Sequence, residues 1–227
     1  YNKLVKMEDL RVGKVTTALN LRSTPSTSSK VLDVLSENDI VSVFSMQETS
    51  DSYGTWYQVR SANGKIGWVA SKYLKLSTLT HISTATTKTD PNTNRDNNIN
   101  IASNTIIGTV IRPGKTFSWR KIIGSCTLEK GYLPASTYTS ETTTEDRPGG
   151  GVCQVSTTIN IAVKRTGIKT EATQHFRPVT YANREDEATV SYSSGIDFSF
   201  TNTLDKPIVL ELVGGNGSCI CNVYEVN

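Results

Sequence analysis

The chain has 227 residues, a formal charge of +3 and 36% hydrophobic residues. That length accommodates one large domain or two smaller ones, and the hydrophobic share supports packed cores beneath a polar surface. Residues 1–76 hold 10 Lys and Arg against 7 Asp and Glu, and residues 77–227 hold 14 of each; no basic stripe is present to neutralise a run of phosphates, so nucleic acid is not expected as a partner.

No apolar run approaches the roughly 18 residues that a membrane helix needs, so no membrane segment is expected in this stretch. The opening residues YNKLVKMEDL lack the charged-then-apolar layout of a signal peptide. Because the chain begins at Tyr1 and not Met, it is read as a fragment or mature form. The four cysteines, Cys126, Cys153, Cys219 and Cys221, could form two disulfides in an oxidising compartment. Cys219 and Cys221, however, alternate in the strand-like run SCICNVYEV and would point to one face, so a framework of staples is not expected. With only His81 and His175, and no Cys-x-x-Cys or His-Glu-x-x-His spacing, neither a metal nor another cofactor is expected.

Residues 1–13 are set apart as an N-terminal segment. From 14 to 76 the chain reads as short strands between turns: KVTTALNLRS, KVLDVLSENDIVSVFS, TWYQVRS and KIGWVASKYLKL. Asn63-Gly64 between alternating apolar runs predicts a hairpin in which both residues take positive φ. Five short strands in this length predict a small barrel. Leu21-Arg22, Pro25, Val31, Leu35, Val41, Val43, Trp56, Val59, Gly64, Gly67-Trp68-Val69 and Tyr73-Leu74 together resemble the bacterial SH3 domain. Glu37-Asn38 stands where that family has a glycine turn. The resemblance implies binding to the cell wall through peptidoglycan peptides or cross-bridges.

Residues 77–227 form the second predicted domain. The β-branched run LTHISTATTK predicts a first strand, and DPNTNRDNN reads as a polar loop. Ile99, Ala102 and Ile106 follow at helical spacing, with Gly108 as the stop. After IRPGKTFSW, read as extended, comes RPGGGVCQVSTTINIAVKRTG. There Val155, Ile159, Ala162 and Val163 mark an amphipathic helix, Lys164-Arg165 supply a cationic last turn and Gly167 a stop. ATVSY, IDFSFTNT, PIVLELV and SCICNVYEV read as strands. The fold class is mainly β with some α: a small SH3-like barrel, then a larger α+β domain with a Cys-bearing helix.

Cys153 stands at the head of that helix, behind three glycines. Helix N–H groups and the macrodipole favour a thiolate there, and free N–H groups are candidate oxyanion donors. A cysteine nucleophile needs a base, and His175 is the better-placed histidine. Glu187, Asp197 and Asp186 are the acidic candidates for orienting its ring. Gly151, Gln154, Ser156 and Thr157 adjoin the nucleophile and are candidate substrate contacts, and Arg147 is a candidate partner for a peptide carboxylate. From the pattern alone the plainer reading, a structural thiol, stays open. Cys126 is read as structural.

Gly149-Gly150-Gly151-Val152-Cys153-Gln154-Val155-Ser156-Thr157-Thr158 resembles the core motif of the VanW domain family. So do Arg95-x-x-Asn98-Ile99, Pro113-Gly114-Lys115-x-Phe117-Ser118, Gly131-Tyr132-x-x-Ala135, His175-x-x-Pro178-Val179-x-Tyr181, Ala188-Thr189-Val190 and Asp197-x-x-Phe200-x-Asn202. The resemblance implies L,D-transpeptidation of peptidoglycan, with donor and acceptor stem peptides as partners, Cys153 as nucleophile, His175 as base and an extracytoplasmic, wall-associated setting in a Gram-positive bacterium. Glu187 replaces the family's aspartate before Ala-Thr-Val, and Ile159-Asn160 replaces Leu-Tyr. A cysteine peptidase acting on stem peptides and a non-catalytic wall-binding module are the alternatives.

Overall fold

The computed structural model describes residues 10–49 and 51–227. Of the N-terminal segment proposed from sequence, residues 1–9 lie outside the described residues, and the rest runs into a strand. The first seven strands are β1 (Arg11–Val15), β2 (Leu19–Arg22), β3 (Val31–Leu35), β4 (Ile40–Glu48), β5 (Thr55–Arg60), β6 (Ile66–Ala70) and β7 (Leu74–Ser77). They form one sheet in the order β3-β2-β6-β5-β4-β1-β7. Its inward residues Val15, Leu19, Leu21, Leu35, Val41, Val43, Val59, Val69 and Leu74 make one apolar cluster. β1 reaches back to Arg11 because Val12 and Gly13 pair with both β4 and β7. The β5–β6 turn uses only Gly64 at positive φ (83°); Asn63 keeps negative φ and uses its side chain instead, accepting from the Lys65 N–H and donating to Asp33. Asn38, in the Glu37-Asn38 pair, takes φ 67°, a conformation asparagine tolerates.

Only Thr78 separates β7 from β8 (Leu79–Lys88). Next come α1 (Thr93–Ile106), β9 (Val110–Ile111), β10 (Thr116–Ser118), α2 (Trp119–Ile123), β11 (Pro134–Tyr138), β12 (Thr144–Pro148) and α3 (Val152–Lys164). The chain closes with β13 (Thr170–Glu171), β14 (Ser199–Thr201), β15 (Ile208–Gly215) and β16 (Ser218–Val226). The antiparallel sheet β8-β16-β15-β9 is the platform. α1 lies against β15, and α3 against β8 and β16. Ile99, Ala102, Ile106, Val155, Ile159, Ala162, Val163, Leu210, Leu212, Cys219, Cys221 and Val223 share the core between them. Cys219 and Cys221 do share one face and are free thiols inside that core; burial pushes Cys219 up to about 11 and Cys221 well above the ordinary thiol value.

Two sequence expectations need correction. The Asn-rich stretch read as a loop is largely the first turns of α1. Asn92 caps it by accepting from the Arg95 N–H at 3.0 Å, while Asp96 accepts from the Asn92 N–H at 3.0 Å. Asn94, Asn97 and Asn98 donate to the carbonyls of Pro134, Gly131 and Leu133. Amide side chains with tertiary partners thus outweigh their weak helix propensity. The ATVSY run makes only isolated bridges, Thr173–Thr189 and Ser191–Ile196. Its backbone bonds to side chains of α3 instead of a neighbouring strand: the Ala188 carbonyl accepts from Ser156 Oγ at 2.6 Å and the Ala188 N–H donates to Thr157 Oγ1 at 3.1 Å.

Candidate functional site

The site is assembled around the glycine turn that feeds α3. Each of the three glycines is crowded for a different reason. A Cβ on Gly149 would stand 2.5 Å from the Cys126 Cβ, and one on Gly150 would stand 2.1 Å from the Ala135 carbonyl oxygen. Gly151 has φ 104° and caps the helix; a Cβ there would lie 2.5 Å from the Arg95 Cγ. Asn98, fully buried, donates to the Gly150 carbonyl at 2.9 Å and accepts from the Leu133 N–H at 2.7 Å. One asparagine on α1 therefore fixes the turn that presents Cys153.

Cys153 is half-buried. Its sulfur accepts from the Val190 N–H at 3.5 Å, and its thiol faces the Val190 carbonyl at 3.6 Å. Surrounding protein raises its pKa, while the Val190 N–H, the Arg95 guanidinium and its own main-chain N–H pull the other way. The expectation of a thiolate stabilised outright by the helix terminus is corrected: desolvation outweighs those favourable neighbours, and the resting group is a thiol.

His175 is 7% exposed. Burial lowers its pKa; Glu187 raises it, and Arg184 and Arg95 lower it further. It is a neutral imidazole at neutral pH, able to accept a proton. Its Nε2 shares a hydrogen bond with Tyr181 Oη at 3.4 Å, and no hydrogen bond joins it directly to Cys153 among the described residues. Tyr181 is influenced by the thiol as well as bonded to the imidazole: burial and the neighbouring Cys153 sulfur push its phenol well above the ordinary range, and Arg95 offsets part of that. Tyr138 and Tyr181 each meet the imidazole edge-on, at 6.4 and 6.5 Å between centroids.

Glu187 belongs to this cluster but in a different role from the one expected. It accepts from the His175 main-chain N–H and the Val179 N–H, both at 3.0 Å, and pairs with Arg184 at 2.6 Å. It holds the segment that carries the imidazole, not the ring itself. Asp197 lies elsewhere: its oxygens accept from Ser118 Oγ at 2.6 Å and the Arg120 N–H at 2.9 Å, fixing the start of α2. Asp186 pairs with Lys164 at 2.6 Å.

The expected substrate contacts are also redistributed. Gln154, Ser156 and Thr157 are fully buried. Gln154 bonds to Thr87 of the platform and to Thr89 just beyond it, and Ser156 and Thr157 bond to Ala188. These groups are spent on holding α3 in place, because positions just after a helix start rotate into the core as readily as out of it. Arg147 is exposed on the β11–β12 hairpin and pairs with Glu145 at 2.7 Å. Asn160, at the Ile159-Asn160 departure, donates to the Asp186 carbonyl and accepts from Thr170. Arg95 and Tyr181 were given no role by sequence reasoning, although both stand in its motif stretches. Among the described residues no group of three or more His, Cys, Asp or Glu is gathered to hold a metal ion, and no helix is long and apolar enough to cross a membrane.

Comparison with known proteins gives the family. The model described as "VanW like protein" matches residues 94–224, and that of the bacterial SH3 domain matches residues 17–75. The chain is 35% identical over 153 residues to the uncharacterized protein YoaR of Bacillus subtilis, covering 64% of this chain and 50% of YoaR. It is 33% identical over 57 residues to the teichoic acids export ATP-binding protein TagH of Bacillus cereus, covering 25% of this chain and 10% of TagH. The chain thus spans half the length of YoaR and a tenth of TagH. A match over more than half of its residues, the glycine turn and its cysteine among them, makes this chain a member of the VanW-like family, joined to a bacterial SH3 domain and related to the cell wall.

Proposed function

We propose that this protein is a cysteine-dependent L,D-transpeptidase that joins peptidoglycan stem peptides by 3–3 cross-links. The observation that carries the reading is a partly accessible Cys153 at the head of α3, with two main-chain N–H groups at its sulfur, neighbouring a tyrosine whose hydroxyl bonds a buried neutral histidine. In the proposed sequence the Cys153 proton passes to His175 through the Tyr181 hydroxyl as the sulfur attacks the carbonyl carbon of the third residue of a donor stem. The N–H groups of Cys153 and Val190 hold the oxyanion. The C–N bond to the terminal residue breaks, and the departing amine takes the proton from His175. A side-chain amine of a second stem then attacks the thioester, forms the amide and restores the thiol.

The bacterial SH3 domain, proposed from sequence to span residues 14–76, would hold the enzyme on the wall, outside the cytoplasmic membrane of a Gram-positive cell. The test is incubation of the purified chain with muropeptides, read by mass. Cross-linked dimers and a thioester on the intact protein are expected, and Cys153→Ala should give neither while keeping its fold. Cleaved monomers alone would make the protein a cysteine peptidase. Unchanged muropeptides would leave a wall-binding module without chemistry.

A further inference from the structure

Two guanidinium groups flank the Cys153–His175 cluster without a charged partner among the described residues. Arg95 leaves the first turn of α1, lays its stem against Gly151 and carries its Cζ to 5.9 Å from the Tyr181 ring centre. Arg177 holds its Cζ 4.2 Å from the ring centre of Tyr138. Those two tyrosines are the pair that meet His175 edge-on, so the order across the site is Arg95, Tyr181, His175, Tyr138, Arg177. Each of these arginines has a buried Nε with no hydrogen-bond partner. Among the described residues neither guanidinium makes a side-chain hydrogen bond or an ion pair. Arg60 and Arg165, by contrast, donate to main-chain carbonyls, and Arg184 pairs with Glu187. Glu187, the one carboxylate in the cluster, is already committed to Arg184 and two N–H groups.

A buried donor without an acceptor is costly and calls for a partner. A guanidinium presents a rigid planar fork that matches a carboxylate with two parallel bonds. We propose that Arg95 and Arg177 are a carboxylate-reading pair: Arg95 binds the free C-terminal carboxylate of the residue that leaves the donor peptide, and Arg177 binds a second carboxylate on the same peptide. Arg95 takes the leaving residue because its stem crosses Gly151, two residues before the nucleophile, and Cys153 senses its charge. The pair would restrict the chemistry to the last peptide bond of a peptide acid, and a blocked or amidated terminus would not serve as donor. The inference deepens the acyl-transfer reading and rests on it.

The test is equilibrium binding to the full chain carrying Cys153→Ala, with a stem tetrapeptide and its C-terminal carboxamide as probes. The acid should bind about tenfold more tightly or better, as a lost charge-assisted pair implies. Arg95→Met, which keeps the stem against Gly151, should erase that ratio, and Arg95→Lys should reduce it by loss of the fork. Arg177→Met should weaken both probes alike and leave the ratio unchanged. In the chain with Cys153 intact, Arg95→Met should also move thiol alkylation to higher pH, a change that a merely structural residue would not cause. Equal binding of acid and amide overturns the proposal. So does an acid preference that survives Arg95→Met in a chain of unchanged melting temperature. If Arg95→Met melts early, an unreduced ratio in Arg95→Lys overturns it instead. An intact acid preference without thioester formation by the unmodified enzyme would sink the transferase reading and leave the carboxylate pair standing.

Discussion

His175 shows how a carboxylate can act on an imidazole without touching its ring nitrogens. Glu187 grips its main-chain N–H, and burial keeps the imidazole neutral against the raising influence of that same carboxylate. Because burial depresses the folded pKa below the ordinary imidazole value of 6.5, protonation favours the unfolded chain. The stability tied to a neutral His175 is complete above that value and is lost as pH falls through the folded pKa. Urea midpoints measured on either side of that window should therefore drop with falling pH, and the drop should be shallower in His175→Gln. Glu187→Gln should lower the His175 pKa further in an NMR titration and cost about 2 kcal/mol, since Arg184 loses a fully buried partner but can still reach solvent. A His175 pKa that rises in that variant would refute this account of the cluster. The sequence motif found both residues. It could not assign Glu187 its work, because a side chain bonding to a backbone twelve positions earlier is a product of tertiary folding and leaves no local periodicity.

At the scale of elements, the helix α3 and the turn before it were the most legible part of the chain. An apolar face at helical spacing, a cationic end and two glycine boundaries all agreed, and consistent local signals of this kind specify structure well. What was not legible was the direction of the polar residues beside Cys153. Gln154, Ser156 and Thr157 looked available for substrate and instead hold α3 to the platform and to the segment at Ala188. That same bonding is why an alternating run there failed to become a strand. The turn itself leads to a sharp expectation. Gly150→Ala puts a methyl 2.1 Å from the Ala135 carbonyl oxygen, and backbone on both sides would have to move. The substitution should cost more than about 2 kcal/mol and reduce thioester formation even where the protein still folds. Gly167→Ala, with φ 86° but open space around it, should cost about 1 kcal/mol and leave the chemistry unaffected. Equal losses at the two sites, by denaturant midpoint, would show that the Ala135 contact is not what requires glycine at the turn.

Across the whole molecule, α1 connects the SH3-like module to the Cys153 site. Its first turn carries Arg95, and its last turn is capped from the other module: Arg60 of β5 donates to the carbonyls of Thr105 at 2.7 Å and Ile107 at 2.8 Å. The two arginines are separated by most of a 14-residue helix, about 20 Å end to end. A cation at a helix C-terminus satisfies orphan carbonyls and meets the negative end of the macrodipole. Burial pulls Arg60 down to about 10, so it remains charged at neutral pH. Around it, Ser42 donates to the Gly108 carbonyl, Arg112 pairs with Asp39 at 2.8 Å, and Val12 packs with Val209 and Val226. These contacts predict that the two modules unfold together, although sequence alone divided the chain at residue 77. Scanning calorimetry of the intact chain should give one transition. Arg60→Met, which keeps an unbranched apolar stem but removes the guanidinium from the Phe44 ring and leaves the α1 carbonyls uncapped, should split it, with the second module melting first. Sedimentation with purified sacculi should persist in that variant, because the β-sheet core of the first module is untouched by the change. A single transition at the original temperature would mean that the Arg60 cap does not couple the modules. Loss of sacculus binding in Arg60→Met would mean that the docked arrangement of the two modules, and not the SH3-like sheet alone, is what recognises the wall.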